Sequence, residues 1–202
     1  PPGNFLEYGW GGTRQSRHAS PRFLERQGDN MPAHSEPLDG GVFVYVDDGC
    51  TFGADSLLLA DFARPAGWGS ARERERVCDL GTGCGIIPLS WYARPRSPDA
   101  PPVEAVELSP DAAALASRSV TENGLAGRIR VHLVDWRSLP PSFEAGGFDR
   151  VVCNPPYFAP ASGRTSVPAG RRLARHESGD GFAGLAGCAA RLLKNGGRFC
   201  FC

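Results

Sequence analysis

Hydrophobic and polar residues follow different periods in different parts of this chain. Residues 1–41 carry twelve Gly or Pro and no usable apolar period, which predicts a poorly ordered or non-native arm; Met31, the only methionine, falls within it. The pattern sharpens at Val42. Val42-Phe43-Val44-Tyr45-Val46 predicts a strand, Asp47-Asp48-Gly49 a turn and Cys50-Thr51-Phe52 a short return strand. Asp55 is placed to cap a helix running through Leu57, Leu58 and Phe62. Residues 64–75 are a polar connection rich in Arg and Glu. From there strands and helices alternate. Residues 76–80 form a short buried strand, and a helix from about Gly85 carries Ile86, Leu89 and Ala93 on one face. A proline-rich loop over 94–102 leads to a second strand over 103–108. Ser109 is an N-cap, Pro110 suits the first helical position, and Asn123-Gly124 stops that helix. Residues 129–134 and 148–153 are the third and fourth strands. Asp180 caps a helix with Phe182, Leu185, Ala189 and Leu192 on one stripe. Asn195-Gly196-Gly197 ends it, and Arg198–Cys202 starts a fifth strand.

Strands separated by helices need right-handed crossovers, so the expected architecture is α/β: a mostly parallel sheet with helices on both faces, forming one domain over 42–202. Composition narrows the class further. No stretch reaches the roughly 18 apolar residues of a membrane span, and no secretory signal opens the chain. The formal net charge of zero argues against a wholly basic nucleic-acid module. Seven cysteines form no CxxC pair and several lie inside apolar runs. They read as buried thiols of a reducing compartment, the cytoplasm by default, and not as disulfides or a metal site.

The candidate chemistry sits where strands end. Asp79-Leu80-Gly81-Thr82-Gly83-Cys84-Gly85 joins the first β–α strand to its helix. Gly81, Gly83 and Gly85 let the backbone turn sharply and approach a ligand, and the helix start offers free N–H groups to an anion. The spacing is G-x-G-x-G, one residue short of the dinucleotide fingerprint. A zwitterion suits it better than a pyrophosphate, with Asp79 facing an ammonium group and the N–H groups a carboxylate. A glycine turn without a ligand is the alternative for this loop alone. Glu107 ends the next strand and can accept both hydroxyls of a ribose. Asp135 ends the third strand and can accept a hydrogen bond from an exocyclic amine, while the adjacent Trp136 can lie on a purine face. For each acid alone, a solvated carboxylate is the alternative. Together, an amino-acid end, a ribose and an adenine bound across three successive strand ends describe S-adenosylmethionine, the expected cofactor.

Val151-Val152-Cys153 leads into Asn154-Pro155-Pro156-Tyr157. Two prolines remove two backbone donors and turn carbonyls toward the site. The lone pair of a base or amide NH₂ is delocalised. Hydrogen bonds from that NH₂ to the Asn154 side-chain oxygen and the Pro155 carbonyl favour a more tetrahedral nitrogen, and Tyr157 can stack on an extruded base. A bare Pro-Pro turn is the alternative for the tetrapeptide alone. Farther on, Arg164, Arg171, Arg172, Arg175 and His176 lie close together without an acid among them. They are placed either to hold phosphates around a target nucleotide or as a solvated loop.

These motifs together resemble those of the Rossmann-like class I S-adenosylmethionine-dependent amino-methyltransferases. The segment Asp48–Ala60, with Phe158 and Arg172–His176, is similar to bacterial valine-type tRNA adenine N6-methyltransferases. The resemblance covers about residues 42–202. It implies catalysis by Asn154, Pro155, Pro156 and Tyr157. It also implies a cofactor site of Asp55, Asp79, Gly81, Gly83, Gly85, Glu107, Asp135 and Trp136, with Asp55 in a segment that closes over the cofactor. Tracts at Arg164, Arg172 and Arg175 would then bind substrate, the expected partner would be tRNA, and no metal or membrane would be involved. The family sheet has seven strands, so the last strand pair is expected either to be missing or to lie beyond residue 202. The alternatives are a protein glutamine N5-methyltransferase, an rRNA guanine N2-methyltransferase, a DNA adenine methyltransferase and a cofactor-binding partner without activity of its own.

Overall fold

Short, almost wholly apolar runs become the middle of a sheet because both faces of a parallel strand are covered. The computed structural model describes residues 32–65, 75–93, 101–155 and 181–202. The elements are β1 (His34–Pro37), β2 (Phe43–Val46), α1 (Ala54–Phe62), β3 (Val77–Leu80), α2 (Ile86–Ala93), β4 (Val103–Glu107), α3 (Pro110–Glu122), β5 (Ile129–Leu133), β6 (Phe148–Cys153), α4 (Gly181–Leu192) and β7 (Leu193–Phe201). Five strands form one sheet in the order β5-β4-β3-β6-β7, every pair parallel. The chain builds outward from β3 to β4 and β5, then crosses back to lay β6 on the other side of β3. That reversal makes the C-terminal ends of β3 and β6 the point where an open α/β sheet offers a crevice.

Alternation along the strands sorts the core into two layers. Val77, Val103, Ala105 and Val152 pack with Leu59 and Ala60 of α1, Ile87 and Leu89 of α2, and Leu115 and Val120 of α3. Cys78, Leu80, Val106, Val151 and Cys153 pack on the other face with Phe143, Phe148 and the α4 residues Leu185, Ala189 and Leu192. The predicted β–α alternation is the observed one, and the fold has helices on both faces. Ser109 caps α3, its hydroxyl accepting from the Ala112 N–H at 3.4 Å, with Pro110 at the first helical position.

Three local expectations are corrected. Order reaches back to His34, inside the segment read as an arm, because β1 pairs antiparallel with β2. A 3₁₀ turn at Asp39–Gly41, with Gly40 and Gly41 at φ +65° and +76°, reverses the chain between them. The return strand after β2 shrinks to a single Asp47–Cys50 bridge. Asp47 Oδ1 accepts from the Gly49 and Cys50 N–H groups, closing a tight turn, and α1 begins too soon for a ladder to grow. The other edge of β2 is held by α3. Asn123 exchanges hydrogen bonds with the N–H and C=O of Phe43, and Ser119 Oγ accepts from the Tyr45 N–H. Finally, Asn195-Gly196-Gly197 does not separate α4 from the last strand. It bulges within β7, whose register with β6 shifts between Leu193 and Arg198. The cap expected of Asp180 lies outside the described residues.

Candidate functional site

The turn after β3 is built from glycines in the left-handed region. Gly81, Gly83 and Gly85 have φ of +73°, +59° and +84°. An L side chain is strained there. At Gly85 space is also short, since a Cβ would come within 3.4 Å of the Ala116 Cβ on α3. The glycine lets the start of α2 pack against α3. The loop is anchored from β4: the Gly81 and Thr82 N–H groups both donate to the Val106 carbonyl.

Glu107 adds a second anchor. Its Oε2 accepts from the Gly83 N–H at 2.8 Å, and its Oε1 accepts from the Leu108 and Ser109 N–H groups at 2.8 and 2.7 Å. The carboxylate therefore ties the glycine turn to the end of β4 and stays at the sheet rim.

Asp79 is fully buried. Its Oδ2 accepts from the Thr82 hydroxyl at 2.7 Å, while Oδ1 has no hydrogen-bond partner among the described residues. Burial pushes its carboxyl up to about 7; the Thr82 hydrogen bond pulls the other way, and the Glu107 charge adds to the rise. An enclosed carboxyl with one oxygen unmatched is suited to a cationic donor.

Asn154 follows β6. Its Nδ2 donates to Asp55 Oδ2 and to Ser56 Oγ, each at 2.8 Å. Its Oδ1 is buried and, like Asp79 Oδ1, unpartnered among the described residues. Asp79 pairs in register with Val152, two residues before Asn154. Strand geometry then sets the Asp79 and Asn154 Cα atoms about 8 Å apart at the same sheet edge.

Asp55 does not cap α1. Gly53 is the N-cap residue and Asp55 stands in the first turn, turned to Asn154. Sequence reasoning missed Ser56. Its signal was a polar residue on the stripe Ser56, Leu59, Ala60 and Ala63, all of them buried. Asp135 is engaged within the chain: both its oxygens accept from the Arg137 guanidinium at 2.6–3.0 Å, and Oδ1 also caps the 3₁₀ turn Trp136–Ser138. Arg137 holds its carboxyl below the usual range. Trp136 is half-buried against the α4-side core, and the Cys188 thiol donates to its carbonyl. Pro155 is described; Pro156, Tyr157, Arg164, Arg172 and Arg175 lie outside the described residues, as do Phe158, Arg171 and His176.

A separate hollow of about 520 Å³ is lined by Pro37, Leu57, Asp61, Ser90 and Trp91 and shares no residue with this strand-end group. Among the described residues no cluster of His, Cys, Asp or Glu is arranged to hold a metal, and no helix is long and apolar enough to cross a membrane.

The family model described as the methyltransferase small domain matches residues 41–176. The chain belongs to that family. Among curated relatives it is 36% identical over 141 residues to a tRNA1(Val) (adenine(37)-N6)-methyltransferase of Tolumonas auensis, covering 70% of this chain and 54% of the relative. It is 32% identical to the protein of the same name from Erwinia tasmaniensis, covering 78% of this chain and 61% of the relative. The methyltransferase small domain chain thus spans little more than half the length of these relatives. Among solved structures, geranyl diphosphate C-methyltransferase from Streptomyces coelicolor A3(2) superposes with a TM-score of 0.51 at 20% identity, over 73% of this chain and 44% of that one. The fold is the Rossmann-like class I methyltransferase fold.

Proposed function

We propose that this methyltransferase small domain protein transfers a methyl group from S-adenosylmethionine to the exocyclic N6 amine of an adenine in tRNA. The observation that carries this reading is the pair of buried, unmatched acceptor oxygens, Asp79 Oδ1 and Asn154 Oδ1, at neighbouring strand ends. One suits an ammonium group and the other a planar NH₂, the two donors such a reaction brings together.

The residues present fit the cofactor. Asp79 would hold its ammonium group, the glycine-loop N–H groups would face its carboxylate, and Glu107, already anchored at the rim, would take its ribose hydroxyls. The cofactor supplies an electrophilic methyl group on a sulfonium sulfur. Asp135 serves the reading less directly, since its oxygens already accept from Arg137. On the acceptor side, Asn154 Oδ1 and the Pro155 carbonyl accept from the amine and stabilise the charge that develops on nitrogen. No general base is needed during transfer, because the proton leaves after the nitrogen has become cationic.

The choice of adenine in tRNA is supported by the names of the curated relatives and by the Asn-Pro-Pro-Tyr sequence. It is tested by incubating the protein with methyl-labelled cofactor and separate pools of tRNA, rRNA and protein, then digesting the labelled pool. Label recovered as N6-methyladenosine from tRNA is the expected result. Label on a glutamine amide or on guanine N2 would overturn the substrate assignment.

Glu107→Ala should weaken cofactor binding, measured by calorimetry, by about 1–3 kcal/mol, the usual cost of losing charge-assisted hydrogen bonds. Unchanged affinity would remove Glu107 from the cofactor site.

A further inference from the structure

Asn154 is held by residues nearly a hundred positions earlier in the chain, and the way it is held selects one of its two possible orientations. A carboxamide can be turned over about its last bond, exchanging oxygen and NH₂ with little change in shape. Asp55 breaks that symmetry. An ionised carboxylate only accepts, so Asn154 must turn its NH₂ toward Asp55 Oδ2; the reverse would set oxygen against oxygen. Ser56 Oγ receives the second N–H of the same group, so both Asn154 donors are taken by adjacent residues of α1. The oxygen is left directed away from α1, buried and without a partner among the described residues.

Local structure supports the same arrangement. Gly53, the N-cap residue of α1, leaves room for the carboxylate, because a Cβ there would collide with Asp55 Oδ1. Ser56 is 6% exposed on the buried stripe of α1, where a hydroxyl needs a polar neighbour and Asn154 provides it.

We propose that Asp55 and Ser56 are positioning residues, which fix the Asn154 amide so that its oxygen, and never its NH₂, faces the acceptor amine. The proposal rests on the methyl-transfer reading above and deepens it. It assigns Asp55 to the acceptor side of the site and not to the cofactor. Without Asp55 both orientations of Asn154 become accessible, and the reversed one opposes two donors. Neither Asp55 nor Ser56 touches the reacting atoms in this assignment; both act through Asn154.

The test has two independent readouts. The first is the rate of hydrogen exchange at the Asn154 side-chain NH₂ in ¹⁵N-labelled full-length chain, its signals identified by their loss in Asn154→Ala. Exchange should be at least about tenfold faster in Asp55→Ala than in the wild type, as expected when a charge-assisted hydrogen bond is removed. The second is methyl transfer to whichever pool the wild type labels. Asp55→Ala should lower kcat about 10- to 100-fold, the range expected when a reacting group is misplaced, with cofactor Kd unchanged. Asp55→Glu, which keeps an acceptor-only carboxylate, should recover part of the loss, whereas Asp55→Asn should not, since its amide can donate as well as accept and no longer selects one orientation of Asn154. Ser56→Ala, which removes one of the two contacts and folds more readily, should show smaller shifts in the same direction in both readouts.

Equal exchange rates in the wild type and Asp55→Ala would overturn the proposal whatever the activity. So would a raised cofactor Kd with kcat restored at saturating cofactor, which would return Asp55 to the cofactor side. If Asp55→Ala fails to fold, wild-type exchange and kcat in Ser56→Ala and in Asp55→Leu would overturn it equally. If the wild type labels no pool yet Asn154 loses its protection in Asp55→Ala, the methyl-transfer reading falls and the positioning of Asn154 stands.

Discussion

Asn154→Ala is expected to cut methyl transfer about 10²- to 10³-fold, the cost typical of deleting one preorganised group that meets developing charge. Cofactor affinity should stay within about twofold of the wild type if Asn154 serves the acceptor side as proposed. The variant removes the only described acceptor oxygen at the end of β6 that is both buried and unmatched. It also strips Asp55 and Ser56 of a shared partner, so its stability should be checked by thermal unfolding alongside. Single-turnover transfer with calorimetry on the same preparation decides the matter. A parallel loss of cofactor binding and transfer would move Asn154 to the cofactor side.

The second large effect is a pH dependence at Asp79. Its carboxyl ordinarily ionises near 3.8, and burial pushes it up to about 7 in the folded chain. Between those values the folded state holds a proton that the unfolded state has released. Stability is therefore fully present below the lower value and lost as pH rises toward the upper one, at up to about 1.4 kcal/mol per pH unit from this group. Asp79→Asn should remove that slope, read as the difference between the denaturant-unfolding curves of variant and wild type from about pH 4 to 7. Cofactor binding should run the opposite way. An ammonium group needs the ionised carboxylate, so wild-type affinity should tighten between about pH 5 and 7, by as much as tenfold per unit. In Asp79→Asn the affinity should be weak and flat across that range. A wild-type profile without slope would mean that Asp79 is not the group meeting the cation.

The two effects share a cause. An acid with one unmatched oxygen in the core is costly to ionise when the protein stands alone, and the same cost is recovered when a cation arrives. The site carries that destabilisation because β3, whose four residues are all buried, leaves Asp79 no access to water.

Much of the sheet could be read from the chain because local pattern and final environment agree. Val77–Leu80, Val103–Glu107 and Phe148–Cys153 are short valine-bearing runs bounded by turn residues, and each became a strand of the parallel sheet. Ser109-Pro110 marked the start of α3 and Asn123-Gly124 its end for stereochemical reasons that need no tertiary contact. The strand-end acids and the glycine loop were legible for the same reason: a motif seven residues long carries its own geometry. Where pairing partners had to be chosen, the pattern misled. Val42–Val46 reads as the first arm of a hairpin with Cys50–Phe52, but β2 took β1 as its partner, from a segment whose prolines and glycines mask a four-residue strand.

What the sequence by itself determined is which residues stand at the ends of successive strands, and so which chemistry collects along one edge: the turn Asp79–Gly85, Glu107, Asp135 and Asn154. Only the tertiary structure decided what each of these side chains is bound to. Glu107 ties down the glycine turn, Asp135 is taken by Arg137, and Asn154 is gripped by Asp55 and Ser56, with Asp55 and Asn154 99 positions apart in the chain. Backbone periodicity is a short-range property and survives in the linear order of residues. The direction of a carboxamide depends on which acceptor the folded chain brings beside it, and no local spacing encodes a contact between α1 and the end of β6.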